Sequence, residues 1–317
     1  MSLHNPLISV LLSMYNDEKY IQQSISSLVL QTYKNWELIA IDDGSQDNTY
    51  NIVKQITDPR IRIYRQKNQG QTRSLNIAAS YAKGEFLARQ DSDDVSLPTR
   101  FERQMDLFRK NPNYFIVGSD LAFINEKDEI VETRTCVRNK FQAIQKLGQL
   151  SAPFGHGSIM LRRSAFDKIH GYDESYPVSQ DFDLLLRLSQ LDGEMGSVPE
   201  ILYKWRVHPD SITSNKWWLQ LVQTIKAYNN VKRIHPQAFC RRNFVKFLFT
   251  KLFVGFSYIM FSPQAFYHYR MAAKSLNEGN LTMVNKYYKH ANKTSRIKLP
   301  SNIIPLIART MKLKHDW

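Results

Sequence analysis

Short apolar runs bounded by polar or turn residues recur along the first hundred positions, and apolar residues at helical spacing fall between them. The run Leu7 to Leu12, bounded by Pro6 and Ser13, reads as a buried strand. Ile21, Ile25 and Leu28 then repeat at helical spacing, with Asp17 placed to cap that helix. Trp36 to Ile41 predicts a second strand, Asp47–Asn48–Thr49 a helix start, and Ile61 to Tyr64 a third strand. Asn68–Gln69–Gly70 marks a turn before a helix carrying Leu75, Ala78 and Ala79. A fourth run, Phe86–Leu87–Ala88, leads into Asp91–Ser92–Asp93–Asp94, and Pro98 predicts the first turn of the next helix. Farther on, Asp181 opens a helix whose buried side is Leu184, Leu185 and Leu188. Strands alternating with helices across short loops predict an α/β fold with a parallel sheet covered on both faces.

Charge changes this picture beyond residue 215. The chain of 317 residues carries 43 Lys and Arg against 29 Asp and Glu. From Lys216 onward there are 18 basic residues and two acids, Glu278 and Asp316, whereas residues 1–215 hold 25 basic and 27 acidic side chains. A break that sharp predicts a domain of residues 1–215 and a basic helical domain of residues 216–317 that meet different partners. Phe239 to Tyr269 is crowded with aromatics and interleaved with Arg241, Arg242, Lys246 and Lys251. That composition suits an anionic membrane surface; the alternative is packing on the first domain or on another copy of the chain. The apolar stretch Leu252 to Tyr269 is interrupted by Pro263, Gln264 and His268, so it does not read as a span. Cys136 and Cys240 match no metal or redox spacing, and Leu7 to Leu12 lacks the basic flank of a leader. The expected location is cytoplasmic, peripheral on the inner face of the cell membrane. Nucleic acid is not an expected partner, because the first domain is not basic.

The chemistry concentrates in the acidic turn. Three carboxylates within Asp91–Asp94 repel one another, and a divalent cation relieves that repulsion while bridging to substrate phosphates. The turn reads as a metal–diphosphate site at the C-terminal end of a strand, or as a solvated acidic turn. Neither G-x-G-x-x-G nor G-x-x-x-x-G-K-[ST] occurs, so no dinucleotide fingerprint or P-loop handles phosphates. A second acidic pair, Asp42–Asp43, ends the second strand; Asp-Gly turn chemistry accounts for one of the two but not both.

In order along the chain stand Ile8 to Ser13, Tyr15–Asn16, Ser27 to Thr32 and Trp36 to Ser45. After them come Asn68–Gln69–Gly70, Leu75–Asn76, and Asp91 to Asp94 with Pro98, Arg100 and Gln104. Gly155–His156–Gly157–Ser158, Gln180 to Arg187, and Arg206, His208 and Ser211 complete the set. Over roughly residues 6–214 this ordered set resembles family 2 glycosyltransferases. The resemblance implies a GT-A fold, a mixed and mainly parallel sheet flanked by helices. It also implies inverting transfer from a nucleotide-diphosphate sugar, a UDP-sugar above all, to a glycan or lipid-linked acceptor in cell-surface polysaccharide or lipooligosaccharide synthesis.

The same resemblance assigns expected roles. Asp93 matches the last Asp of the family's D-x-D and would contact Mn²⁺ or Mg²⁺, with Asp91 on the ribose or a metal-bound water. Ser13, Tyr15, Asp42, Asp43, Asn68, Ser92 and Arg206 are expected on the donor side. His208 is expected as a third metal ligand or a phosphate donor, from a loop folding over the diphosphate with Arg206. Asp181 matches the catalytic base, with Asp183 as its rival; Gln180 stands where the family usually has Glu. His156 and Gln180 are expected on the acceptor side. The competing function is a non-catalytic nucleotide-sugar or glycan-binding module that kept the fold; an intact D-x-D together with Asp181 favours the enzyme, since a binding module needs no base. A homo-oligomer is a further expected partner state.

Overall fold

A computed structural model describes residues 5–208, 217–235, 237, 284–286 and 288–289. The aromatic, basic stretch from Phe239 to Tyr269 lies outside the described residues. The chain divides into two units, residues 1–206 with 230–238, and residues 207–229 with 239–317.

The first unit opens with β1 (Ile8–Met14), α1 (Ile21–Val29), β2 (Trp36–Asp42), α2 (Thr49–Lys54), β3 (Ile61–Arg65), α3 (Gln71–Tyr81) and β4 (Phe86–Arg89). β1 pairs in parallel with both β2 and β4, and β2 with β3, as the alternation predicts. Every residue of β1 is buried. Ile8, Val10, Leu12 and Met14 join one core cluster, with Ile21, Ile25 and Leu28 of α1. Leu11 joins a second cluster, with Leu75, Ala78 and Ala79 of α3 and Leu184, Leu185 and Leu188. Successive strand side chains point to opposite faces, so a strand covered on both sides reads as a continuous apolar run.

Beyond β4 the sheet changes character. β5 (Val95–Ser96), α4 (Arg100–Lys110), β6 (Tyr114–Ile124), β7 (Ile130–Arg134), α5 (Lys140–Gly148) and β8 (Met160–Arg162) follow. Then come α6 (Arg163–Lys168), α7 (Gln180–Leu188), β9 (Glu194–Arg206) and α8 (Trp217–Ile234). The strand order is β3-β2-β1-β4-β8-β6-β9-β5, with β7 on β6. β8 runs antiparallel to β4 and to β6, and β5 antiparallel to β9. β6 pairs in parallel with β9, so the sheet is mixed and mainly parallel, and a parallel sheet alone, the expectation from alternation, describes only part of it. The antiparallel pairs are those made by the short strands β5, β7 and β8.

Two predicted helix starts shift. α1 begins at Ile21 with Tyr20 at its N-cap, and α4 begins at Arg100 with Thr99 at its N-cap. Pro98 precedes the helix, and its carbonyl accepts from Thr32 N. Asp17 does not cap α1, because its carboxylate is drawn to Tyr15 N and Ser92 Oγ instead.

Arg100 is fully buried where antiparallel pairing in the sheet begins. Its guanidinium donates to the carbonyls of Arg89 (2.9 Å) and Ile159 (3.1 Å), to Ser96 Oγ (2.8 Å) and to Gln90 Oε1 (3.3 Å). Gln104, one turn along α4, donates to the carbonyls of Val117 and Ser158. Burial pulls the Arg100 guanidinium down to about 10, still charged at neutral pH. Removing it leaves buried acceptors unpaired at about 1–3 kcal/mol each. Arg100→Met is expected to lower the unfolding free energy by about 3 kcal/mol with an unchanged denaturant slope. Urea titration followed by circular dichroism checks this; a loss below about 1 kcal/mol would mean the carbonyls find other donors.

Candidate active site

The acidic turn leaves the C-terminal end of β4, the edge where open α/β sheets bind ligands. Its three carboxylates have different surroundings. Asp91 Oδ1 is 2.5 Å from Arg89 Nη2, on a guanidinium only 1% exposed. The backbone N–H of Asp91 donates to Tyr203 Oη (3.1 Å), and its carbonyl accepts from Ser24 Oγ (2.8 Å). Gly157 lies against the other oxygen: a Cβ there would sit 2.8 Å from Asp91 Oδ2 and 2.0 Å from Tyr203 Oη. Asp93 is half-buried, and its carbonyl accepts from Arg206 Nε (2.9 Å). Asp94 is buried; its Oδ1 accepts from the Arg206 backbone N–H (2.7 Å), and Tyr203 also bonds its carboxylate. Burial raises the Asp91 carboxyl, opposed by Arg89 and reinforced by Asp93 and Asp181. Asp94 is raised further, by burial and then by its two neighbours in the turn. Ser92 is buried and donates to Asp17 Oδ2 (2.6 Å), which also accepts from Tyr15 N (3.0 Å). Asp17 thus ties the β1–α1 loop to the acidic turn.

A second set of loops gathers at the same ends of β1, β2 and β3. Ser13 and Asp42 are buried within their strands. Asp42 pairs with Arg65 Nε (3.0 Å) and accepts from Ser45 N. Asp43 accepts from Gln69 N (2.9 Å), Gly70 N (2.8 Å) and Gln66 Nε2 (2.8 Å). Both carboxylates therefore hold the loops after β2 and β3 together, more than Asp-Gly turn chemistry accounts for. Gly44 adopts φ +81°, and a Cβ would lie 3.0 Å from Asn68 N, so the two loops approach closely only at a glycine. Between them lies an open cleft of about 610 Å³ lined by Tyr15, Gly44, Gln46, Arg65, Gln66, Lys67 and Asn68. Tyr15 is 43% exposed there.

α7 supplies the third component. Asp181 and Asp183 both fall in its first turn, but their surroundings separate them. Asp183 is 5% exposed and paired with Arg187 Nη2 (2.7 Å) and Nε (2.8 Å). Asp181 is half-buried, and its charge acts on Asp91 and on Tyr172. Gln180, expected on the acceptor side, is buried and donates to Gln71 Oε1 (2.6 Å), tying the start of α7 to the start of α3. His156, expected on the acceptor side, is buried in a 3₁₀ turn, His156–Ser158, with Nε2 2.8 Å from Tyr172 Oη. Burial and then Arg89 hold His156 well below the usual histidine range, so it is neutral at pH 7. Asn76 holds Tyr172 through both its backbone N–H and carbonyl, 3.0 Å each.

Arg206 corrects another expectation. It ends β9 instead of riding in a loop, and only 1% of it is exposed. Its guanidinium is engaged by Asp93 O, Asn125 O (3.0 Å), Gln23 Oε1 (2.7 Å) and Asp128 Oδ1 (2.7 Å). A side chain so committed shapes the acidic turn from below. His208 is buried and belongs to the second unit. Among the described residues no group of three or more His, Cys, Asp or Glu side chains is arranged to hold a metal ion. Asp91 and Asp93 remain the first unit's candidates. Two carboxylate oxygens suit Mg²⁺ or Mn²⁺, which take one or two carboxylates and complete their shell with water and substrate phosphates.

Arg89, Tyr203, Tyr172 and Asp17 were not singled out as site residues from sequence. Arg89 had a readable signal, a charge at the end of an apolar strand just before an acidic run. Tyr203 reaches Asp91 from 112 positions away, and no local pattern marks it.

Residues 9–170 match the family model described as Glycosyl transferase family 2. EpsE of Bacillus subtilis, named as a glycosyltransferase, is 34% identical over 235 residues, 72% of this chain and 83% of EpsE. The UDP-Glc:alpha-D-GlcNAc-diphosphoundecaprenol beta-1,3-glucosyltransferase WfgD of Escherichia coli is 33% identical over 67% of this chain and 81% of WfgD. Among solved structures, S. aureus TarS 1–349 in complex with UDP superposes with a TM-score of 0.55 at 15% identity, over 98% of this chain and 88% of that one. The mannosyltransferase PcManGT of Pyrobaculum calidifontis, in complex with GDP-Man and Mn²⁺, gives 0.57 at 13%, over 98% and 81%. At those identities the likeness is one of fold, the GT-A fold.

The two acids of α7 should separate in stability. Asp183→Asn is expected to cost about 2–3 kcal/mol, because it leaves Arg187 without its charged partner. Asp181→Asn should cost less than Asp183→Asn, since it also removes a negative charge that acts on Asp91. Thermal and urea unfolding of the two variants check this, and the reverse order would overturn the structural assignment of Asp183.

Proposed function

The chain belongs to glycosyl transferase family 2 and is a glycosyltransferase, and from that premise we propose that it is an inverting enzyme using a UDP-sugar and a divalent cation. The observation that carries this reading is the placing of Asp91 and Asp93 at the end of β4 and of Asp181 in the first turn of α7, from where its charge acts on Asp91. One set suits a cation and diphosphate, the other a base.

In this reading the nucleoside occupies the cleft lined by Tyr15 and Asn68, with Tyr15 offering an exposed ring to the base. Asp42 and Asp43 shape that cleft by fixing its loops, and Ser13 and Ser92 border the ribose side. Asp93 and Asp91 would hold Mg²⁺ or Mn²⁺, which when bound offsets charge growing on the leaving diphosphate. Arg206 sets the backbone of the turn that presents Asp93 and Asp94. Asp181 accepts the proton of the acceptor hydroxyl as its oxygen forms a bond to the anomeric carbon. The bond from that carbon to the diphosphate oxygen breaks in the same step, inverting the centre. The neutral His156 holds Tyr172, on which the charges of both Asp91 and Asp181 act. That WfgD is named for a glucosyl transfer onto a diphosphoundecaprenol-linked sugar supports a lipid-linked glycan acceptor here and a place in surface polysaccharide synthesis. The excess of 18 basic over two acidic residues from Lys216 onward supports an anionic partner surface for the last third. No helix among the described residues is long and apolar enough to cross a membrane.

Asp181→Asn should keep UDP binding and lower transfer by about two to four orders of magnitude. Calorimetry with UDP and a turnover assay over a panel of UDP-sugars check this; a loss shared by Asp183→Asn with Asp181→Asn active would reassign the base. Asp93→Ala should abolish the Mn²⁺-dependent part of UDP binding, and undiminished turnover in excess EDTA would remove the cation from the reading. The intact chain should sediment with anionic but not neutral vesicles at low salt, and salt should release it. Equal sedimentation with both vesicle types would remove charge as the cause.

A further inference from the structure

Arg89 ends β4 opposite Leu11 in the register of the sheet, and it is only 1% exposed. Nothing in the packing of the strand asks for a charge there. The backbone at this position is fixed independently, because Arg100 donates to the Arg89 carbonyl (2.9 Å). Among the described residues the Arg89 guanidinium donates to Asp91 Oδ1 at 2.5 Å and to the Leu11 carbonyl at 3.2 Å. Its buried Nε has no hydrogen-bond partner among the described residues. A buried ion pair with an unpaired donor adds little stability over apolar residues of similar shape. The arrangement is better explained by what it does to Asp91. One carboxylate oxygen is bound to Arg89, while the other lies beside Gly157, on a side chain that is 24% exposed. The guanidinium's rigid fork, anchored on the Leu11 carbonyl, therefore fixes the rotation of the carboxylate about its χ2.

We propose that Arg89 is a positioning residue: it locks the Asp91 carboxylate so that a single oxygen, Oδ2, is presented to the cation and diphosphate. This rests on the proposed role of the acidic turn. Asp91, Asp93 and Asp94 then differ by their arginine partners: Arg89 orients the first, and Arg206 sets the backbone around the other two.

Calorimetry of UDP and GDP binding, with Mn²⁺ and with EDTA, to the wild-type chain, Arg89→Lys and Arg89→Met tests the proposal. Binding without metal is expected to agree within about twofold among the three proteins, because Arg89 does not line the nucleoside cleft. The affinity gained on adding Mn²⁺ should fall by about ten- to a hundredfold in Arg89→Met, the size seen when a ligand loses its supporting group. Arg89→Lys should lie between, since an ammonium keeps the charge but not the fork. A wild-type gain in Arg89→Met overturns the proposal. So does a parallel fall in metal-free binding, which marks a general structural role. Should Arg89→Met fail to fold by circular dichroism, Arg89→Lys decides by the same two criteria. A wild-type chain that gains nothing from Mn²⁺ overturns the reading of the acidic turn itself, and the proposal with it.

Discussion

Three carboxylates crowd into four residues at the end of a buried strand, and the first unit is arranged around making that possible. In water such a turn would be unremarkable; partly enclosed, like charges at this spacing oppose folding. The compensation comes from arginines that are themselves buried. Arg89 pairs with Asp91, Arg206 holds the carbonyl of Asp93 and the carboxylate of Asp94, and Arg100 supports the strand end beneath. Each arginine also donates to carbonyls or amides from distant parts of the chain. The acidic turn is thereby tied to α1, β1, α4, the 125–128 turn and β9 at once.

This accounts for where antiparallel pairing in the sheet begins. β5 is only two residues long, yet its pairing with β9 brings Tyr203 opposite Ser96. Tyr203 Oη then accepts from the Asp91 backbone and bonds Asp94. β8 places the His156–Ser158 turn beside Asp91, and the glycine there gives the carboxylate room. The loops after β1, β2 and β3 line the open cleft, and Gly157 and Tyr203 wall the acidic turn. A transferase has to keep water away from the reacting carbon while admitting an acceptor hydroxyl, and walls drawn from several elements serve that need.

α7 is anchored in the same distributed way. Gln180 reaches Gln71, Thr72 donates to the Tyr176 carbonyl, and Asn76 brackets Tyr172. From the end of α8, Asn230 donates to Tyr176 Oη, and His235 lies 2.7 Å from Ser189 Oγ at the C-cap of α7. Residues 230–238 belong to the first unit although the charge pattern assigns them to the basic last third. A chain ended near residue 215 would lose these anchors, so truncation there tests more than the basic region.

The sequence by itself determined the parallel part of the sheet from β1 to β4, the acidic turn at its edge and the family. The physical reason is that these are local: period-two and period-3.6 burial, turn residues, and carboxylates adjacent in the chain. It singled out Asp181 and Asp183 but could not separate them, because both sit in one helix turn. Only the tertiary structure gave Asp183 to Arg187 and brought the charge of Asp181 to act on Asp91. It likewise took Arg206 and His156 into the interior, and moved Asp17 from a helix cap to a tether for Ser92. Those outcomes depend on which distant donor or acceptor reaches a buried group first. Such partners lie up to a hundred residues or more away, and no periodicity along the chain encodes them.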